Sequence, residues 1–330
     1  MVLEEHNPEE LVDIIKKQKP YLKDTSIHQY IRAIKKLNTL INGENAKLEN
    51  FNFIEDSKKI EEVLKHFHFT TRRNYYSAII TLLQAEDKPN KKLIREYSDI
   101  VKEANTKYQE QQESGIVTPK QEPSLLIKED YHKIEEFINK VKESNDKMLY
   151  ILLRIITKYQ TRNEIATLKL IKLMSFKKLN DEEKQGNNYL VMGSKKIYIV
   201  RYNFKTNKKY KQITTEIEDK QLKKEIREYT KTLKSDNVFE YRGEQLTPKK
   251  LTNILLYQSN KLVGVPLSTT MLAKSILSEK YSEKNEAQKK DAKNRGHSVS
   301  VQNNVYIKTT VQQSIPTVQQ DNHHLENNEV

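Results

Sequence analysis

Residues 189–215 read YLVMGSKKIYIVRYNFKTNKKYKQITT, a stretch whose patterning differs from the helical periodicity around it. Turn residues separate three short apolar runs at 189–192, 196–200 and 212–215. Runs of β-branched and aromatic residues bounded by such turns are typical of short strands. We therefore expect three antiparallel strands in this part of the chain.

Helical patterning flanks the expected strands on both sides. Residues 8–113 predict four or five amphipathic helices, the first capped by Asn7 with Pro8 at its first position. Further helices are expected at 128–142, 147–159, 220–233, 247–263, 268–281 and 283–294. The predicted fold class is mainly α with a small antiparallel β-sheet.

The breaks in this pattern predict two domains joined by a linker. Gly115, Pro119 and Pro123 interrupt a polar segment, which predicts an extended linker over 114–127. A helical domain (1–113) precedes it, and a second domain (128–308) follows. Residues 309–330 are polar and rich in Gln and Asn, which is typical of a flexible tail.

The composition restricts the class of partner. The formal net charge of +13 favours a polyanion such as nucleic acid, although a lysine-rich surface can also serve solubility alone. The chain has no cysteine, which excludes disulfides, zinc–thiolate sites and cysteine nucleophiles. We find no membrane-spanning run or signal peptide and expect a soluble intracellular protein with no membrane partner.

Basic side chains cluster at predicted helices of the first domain. Arg72 and Arg73 fall at the start of a helix that opens at Thr70-Thr71, where free backbone amides also favour phosphate. Lys35 and Lys36 lie off the apolar stripe of the helix over 27–41. We expect these four side chains to contact a DNA backbone; the alternative is a solvated basic surface.

Four chemistry-bearing residues lie far apart in the second domain. Gly296-His297-Ser298 is followed by Tyr306, ten positions after the glycine. Upstream lie Arg162, in YQTRNEIATL (159–168), and Lys205, in FKTNKKY (204–210). A histidine at a turn and a tyrosine on the next helix are able to meet one phosphate.

Residues 8–308 resemble the tyrosine recombinases, the phage-type integrase superfamily. Segments 267–272, 279–282 and 296–302 are similar to integrases of virophages, large DNA viruses and related eukaryotic mobile elements. The resemblance implies a helical core-binding (SAM-like) DNA-binding domain in the first half. It implies a tyrosine-recombinase catalytic domain at 128–308, and double-stranded DNA as the partner.

The resemblance also implies roles for single residues. Arg162, with Glu164 two positions on, would hold a nonbridging phosphate oxygen. Lys205 would protonate the departing 5′ oxygen, with Lys208 and Lys209 as competing candidates for this role. His297 would hydrogen-bond the scissile phosphate or help the tyrosine lose its proton, and Tyr306 would be the nucleophile. The alternatives are a surface arginine paired with Glu164, an exposed hairpin lysine and a structural turn histidine.

One expected member of the family pattern is missing. On a later helix the family has a histidine or lysine, two residues, and a second essential arginine; here Thr270 and Ala273 occupy those positions. Lys274 is adjacent but turned by about 100° on a helix, so it is expected to contact DNA elsewhere, as is Lys208. The chain is therefore expected to bind DNA better than it cuts it.

The implied reaction needs no cofactor, metal or ATP, because the phosphotyrosyl intermediate conserves the energy of the broken bond. A homotetramer on two DNA duplexes is implied by the resemblance. The site of action would be the host nucleus or a viral factory for a eukaryotic virus, and the cytoplasm otherwise. The alternatives are a catalytically inactive recombinase-derived DNA-binding protein and, more weakly supported, a topoisomerase-like relaxing enzyme.

Overall fold

Two units, Met1–Val117 and Thr118–Val330, make up the chain. The structure, a computed structural model, describes residues 8–44, 51–86 and 89–294. The fold is mainly helical with a small mixed sheet. The predicted cap Asn7 and the tail 309–330 lie outside the described residues.

The first unit is helical throughout its described part, as the periodicity predicts. Its helices are α1 (Pro8–Gln18), α2 (Asp24–Asn42), α3 (Ser57–Leu64), α4 (Phe69–Leu83) and α5 (Lys91–Ser114). Helix α2 begins three residues before the predicted Ile27, and its stripe Ile27, Ile31, Ile34 and Leu37 is buried in the core of this unit.

The second unit combines eight helices with six strands in its described part. The helices are α6 (His132–Glu143), α7 (Lys147–Tyr159), α8 (Leu173–Lys178), α9 (Asp181–Gln185), α10 (Asn207–Tyr210), α11 (Lys220–Thr230), α12 (Pro248–Val263) and α13 (Thr269–Asn294). The strands are β1 (Leu168–Lys172), β2 (Asn188–Met192), β3 (Ile197–Arg201), β4 (Ile213–Glu216), β5 (Glu240–Tyr241) and β6 (Glu244–Gln245).

The main sheet has the order β1-β2-β3-β4. Strands β2, β3 and β4 pair antiparallel, which confirms the three predicted strands. The expectation of a purely antiparallel sheet is wrong, because β1 pairs parallel with β2. The chain between them crosses over through α8 and α9, and a crossover connection is what parallel neighbours require.

Both faces of this sheet are covered. Leu190 and Ile199 are paired and face the main core, which is built mainly from helices. Tyr198 and Val200 face the opposite side, in a smaller apolar cluster with Phe176 of α8. Burial on both faces explains why β2 and β3 are nearly continuous apolar runs.

Two further features differ from the sequence expectations. The segments 268–281 and 283–294, predicted as separate helices, form the single helix α13, which begins at Thr269. The expected linker 114–127 belongs to the second unit from Thr118 onward. Leu126 is 2% exposed in the main core, and its backbone N–H donates to Ser275 Oγ of α13 at 2.9 Å.

Candidate functional site

A sharp turn after α7 determines where Arg162 lies. Helix α7 ends at Tyr159, and Gln160 adopts the left-handed conformation (φ 45°) while its side chain donates to the carbonyl of Thr157 at 2.7 Å. Thr161 is then buried, and Arg162 is exposed at the start of a 3-10 turn (Asn163–Thr167) that leads into β1. Arg162 thus projects from a backbone held at both ends by core elements.

Glu164 pairs with Arg201, the last residue of β3, and not with Arg162. Arg201 Nη1 lies 3.3 Å from Glu164 Oε1, and both side chains are largely buried. Burial lowers the pKa of Arg201; the charge of Glu164 opposes this shift, and the charge of Arg162 adds to it. The sequence alternative in which Arg162 pairs with Glu164 is therefore wrong.

Lys205 lies in the turn between β3 and β4, where the sequence predicts it. The preceding Phe204 is buried at 8% exposure, and Lys205 itself is exposed. The connection between these strands also contains the short helix α10, which begins at Asn207 and carries the exposed Lys208. The buried aromatic ring anchors the turn beside the cation.

The buried side chain of Asn188 joins the Arg162 turn to the Lys205 turn. Its amide donates to the carbonyl of Asn203 at 3.0 Å and to that of Glu164 at 3.4 Å. Its Oδ1 accepts from the backbone N–H groups of Tyr202 at 2.9 Å and Asn203 at 2.8 Å. Burial also raises the pKa of Tyr202 to about 12. The two cation-bearing segments are therefore cross-linked two or three residues from each cation.

Asn163 makes the corresponding link to the first turn of α13. Its Oδ1 accepts a hydrogen bond from the hydroxyl of Thr269, and its Nδ2 donates to Thr252 Oγ1 of α12 at 2.6 Å. Thr269 is 5% exposed, and Ala273, one helical turn later, is half-buried on the same face. A side chain longer than alanine at 273 would lie on the face turned towards the Arg162 segment.

Neither Thr270 nor Lys274 supplies the cation that is missing at position 273. Thr270 is exposed. Lys274 donates through its ammonium to Gln121 Oε1 at 2.8 Å, in the segment that was expected to be a linker. Lys274 is thus held on another side of α13, which agrees with the rotation expected between adjacent helical residues.

The cations predicted in the first unit have different surroundings. Lys35 and Lys36 are exposed on α2. Arg72 and Arg73 are half-buried at the start of α4. Arg73 donates to Asn105 Oδ1 at 3.2 Å and lies 5.0 Å from the centre of the Tyr108 ring, so α5 holds its guanidinium.

Gly296, His297 and Tyr306 lie outside the described residues. Within the described ranges there is no cluster of three or more His, Asp or Glu side chains suited to a metal ion. No helix in those same ranges is long and apolar enough to cross a membrane.

Three polar residues that connect the segments of the candidate site are not predicted by any sequence pattern. Asn188, Asn163 and Arg201 are single polar side chains, and their partners lie between 14 and 106 positions away. No local spacing signals such contacts. A polar residue at the end of an apolar strand run, as Asn188 and Arg201 are, is the only hint in the sequence.

Comparison with known proteins gives one distant structural similarity. No protein-family model matches the chain, and no curated protein sequence matches it. The crystal structure of XerA recombinase matches with a TM-score of 0.33 and 13% identity, over 98% of this chain and 100% of that chain.

Proposed function

We propose that the chain is a site-specific DNA recombinase of the integrase type that acts through a 3′-phosphotyrosyl intermediate. The Tyr306 hydroxyl gives up its proton, to His297 or to water, and attacks a DNA phosphorus. The bond to the 5′ oxygen breaks, and that oxygen takes up a proton. The 5′-hydroxyl of the partner strand then reverses the step, which joins the exchanged strands. Four copies on two duplexes provide the two pairs of strands.

The observation that carries this proposal is the hydrogen-bonded linkage of three segments that are distant in sequence. Asn188 joins the Arg162 turn to the segment before Lys205. Asn163 joins the same turn to the start of α13. Two exposed cations beside one helical turn suit a phosphodiester, because a phosphate carries its charge on several oxygens.

Each side chain has a distinct role in the proposal. Arg162 binds a nonbridging oxygen, where its charge offsets the charge that develops in the transition state. Lys205 donates the proton to the departing 5′ oxygen. His297 contacts the same phosphate from the turn before Tyr306.

Ala273 leaves this site one cation short. Loss of one oxyanion-stabilising group costs on the order of 3 kcal/mol, which is at least about a hundredfold in rate. The chain as written is therefore an impaired enzyme that retains DNA affinity. The resemblance to integrases of viruses and mobile elements rests on sequence motifs alone.

The test restores the missing group. Ala273→Arg is incubated with a nicked duplex selected for binding to the chain, and the covalent protein–DNA adduct is measured by denaturing electrophoresis. We expect an adduct that Ala273→Arg/Tyr306→Phe does not form. Absence of any adduct from the restored protein on DNA that it binds would contradict the proposal.

A second candidate, a DNA-binding protein without cleavage, is favoured by Ala273 itself. It predicts salt-sensitive DNA affinity with no adduct even after Ala273→Arg. Relaxation of a supercoiled plasmid that lacks the selected site would instead favour a topoisomerase-like enzyme. The same restored variant therefore distinguishes all three functions.

A further inference from the structure

Arg201 is a buried cation, and its contacts offset only part of the free-energy cost of removing its charge from water. Its side chain is 11% exposed and contacts Glu164 at 3.3 Å. Its Nε has no hydrogen-bond partner among the residues that the structure describes. A buried ion pair of this kind contributes little net stability, because desolvation offsets the attraction. A role beyond stability explains its presence better.

The charges around Glu164 indicate what that role is. Arg162 directly precedes the 3-10 turn that carries Glu164, two residues away, and the ion pair with Arg201 occupies that carboxylate. The charge of Arg162 also lowers the pKa of Arg201. Without Arg201, Glu164 would be a largely buried carboxylate that has lost this ion pair, with Arg162 two residues away along the chain. Such a carboxylate attracts a neighbouring guanidinium strongly in a medium of low dielectric constant.

We propose that Arg201 is a positioning residue: it occupies Glu164, so that the guanidinium of Arg162 stays free to bind a DNA phosphate. This inference rests on the proposed function, which makes Arg162 a phosphate ligand. Arg162, Arg201 and Glu164 together carry a net positive charge because of the second arginine. This charge favours the binding of an anion beside them. Arg201 itself does not touch the phosphate.

The test measures the affinity of the full-length chain for its selected DNA duplex at fixed salt. Arg201→Met is expected to weaken binding about tenfold, since Arg162 is then drawn into a pair with Glu164. Arg201→Met/Glu164→Gln, which removes both charges, is expected to restore affinity to within about threefold. Arg162→Ala/Arg201→Met is expected to bind no more weakly than Arg162→Ala alone.

Two controls separate positioning from folding. Arg242→Ala removes an exposed arginine from the β5–β6 turn of the same unit and is expected to change affinity less than Arg201→Met. Thermal unfolding of each variant shows whether it is folded. If Arg201→Met alone does not fold, Arg201→Met/Glu164→Gln is used for the test instead. The proposal would be overturned if adding Arg162→Ala to that double variant no longer weakened DNA binding.

The results also distinguish this inference from the function on which it rests. If Arg162→Ala weakens DNA binding but Arg201→Met does not, the positioning role is wrong and the proposed site remains. If Glu164→Gln fails to restore binding in a folded Arg201→Met chain, the positioning role is also wrong. If Arg162→Ala leaves binding unchanged, the proposed phosphate site and this inference both fail.

Discussion

Asn188 uses both ends of its amide to bind two backbone segments. Two donated and two accepted hydrogen bonds connect it to Glu164, Tyr202 and Asn203, and its side chain is 2% exposed. A buried amide with this many partners fixes geometry more than it adds net stability, because each bond replaces one to water. Its removal leaves backbone groups unpaired.

We expect Asn188→Leu to lower the free energy of unfolding by about 1–3 kcal/mol, the cost of unsatisfied buried polar groups. Urea denaturation measures this effect. Asn203→Ala is the matched control, since that exposed side chain makes one hydrogen bond, to the carbonyl of Gly186 at 3.0 Å. Equal losses in both variants would contradict the role assigned to Asn188.

Lys205 offers a test of proton donation at a single atom. In the Ala273→Arg background, Lys205→Ala is expected to slow cleavage of ordinary DNA by about a hundredfold or more. DNA with sulfur in place of the bridging 5′ oxygen is expected to be cleaved nearly as fast by both proteins, because a thiolate leaves without a proton. Rates of adduct formation measure both effects.

Lys208→Ala is the control for this comparison, since Lys208 is also exposed on the same connection. It is expected to slow ordinary cleavage much less than Lys205→Ala does. If sulfur substitution rescues Lys208→Ala and not Lys205→Ala, the proton donor is Lys208.

At the level of elements, helix α11 depends on one carboxylate. Asp219 accepts from the backbone N–H of Leu222 at 2.9 Å and lies 3.4–3.5 Å from the cations of Lys158 and Arg154. The hydrogen bond from Leu222, with the charges of these cations, lowers the pKa of Asp219 below its ordinary value of 3.8. The ionised carboxylate is therefore the form that stabilises the fold.

We expect Asp219→Ala to lower the free energy of unfolding near neutral pH by about 1 kcal/mol, the usual value of an N-cap. Asp219→Asn keeps the capping oxygen and removes only the charge. It should therefore lower the free energy of unfolding by less than Asp219→Ala does. That smaller loss should be constant above the ordinary pKa of 3.8, where the carboxyl is ionised in both states. It should shrink as the pH falls from there through the lower native pKa, because the unfolded chain takes up its proton first. A loss that grows as the pH falls would contradict this sign.

Local pattern predicts most elements of this fold, and non-local contacts account for the errors. Helix α7 lies where the apolar periodicity places it, over Lys147–Tyr159. Strand β1 (LKLIK) was missed because two lysines interrupt it and its partner lies 20 positions away, as in the pair Leu168 and Asn188. Its strand character depends on pairing with β2.

The candidate site was predictable to the same extent. Motif spacing singles out Arg162, Lys205 and Ala273, each of which lies in the described part of the chain. The residues that connect these elements, Asn163 and Asn188, have no sequence signature because their partners are set by tertiary structure. His297 and Tyr306 remain predictions from sequence.

At the scale of the whole molecule, the boundary between the units has a measurable consequence. Gln121 and Leu126 contact α13, so residues 118–127 form part of the second unit. A fragment starting at residue 128 is therefore expected to be less stable than one starting at 118, by about 2 kcal/mol or more. Thermal or urea unfolding of the two fragments measures the difference.

Leu126→Ala in the longer fragment is the matched control and should account for a large part of that loss. Equal stability of the two fragments would show that 118–127 is only a linker. Neither outcome depends on the proposed activity, since the comparison concerns the core of the second unit alone.

The net charge of +13 favours association with polyanions in general, and it does not identify a reaction. The specific claim is that Arg162 and position 273 act on one phosphate. Residues that act as a unit have strongly non-additive effects on rate. Coupling between the two positions is therefore more informative than the loss caused by either one.

The direct measurement is the rate of covalent adduct formation by four proteins: the chain as written, Ala273→Arg, Arg162→Ala and the variant with both changes. We predict that Ala273→Arg raises the rate about a hundredfold when Arg162 is present and less than about tenfold when it is absent. Equal gains in the two backgrounds would mean that the two positions act independently. That result would contradict a shared phosphate.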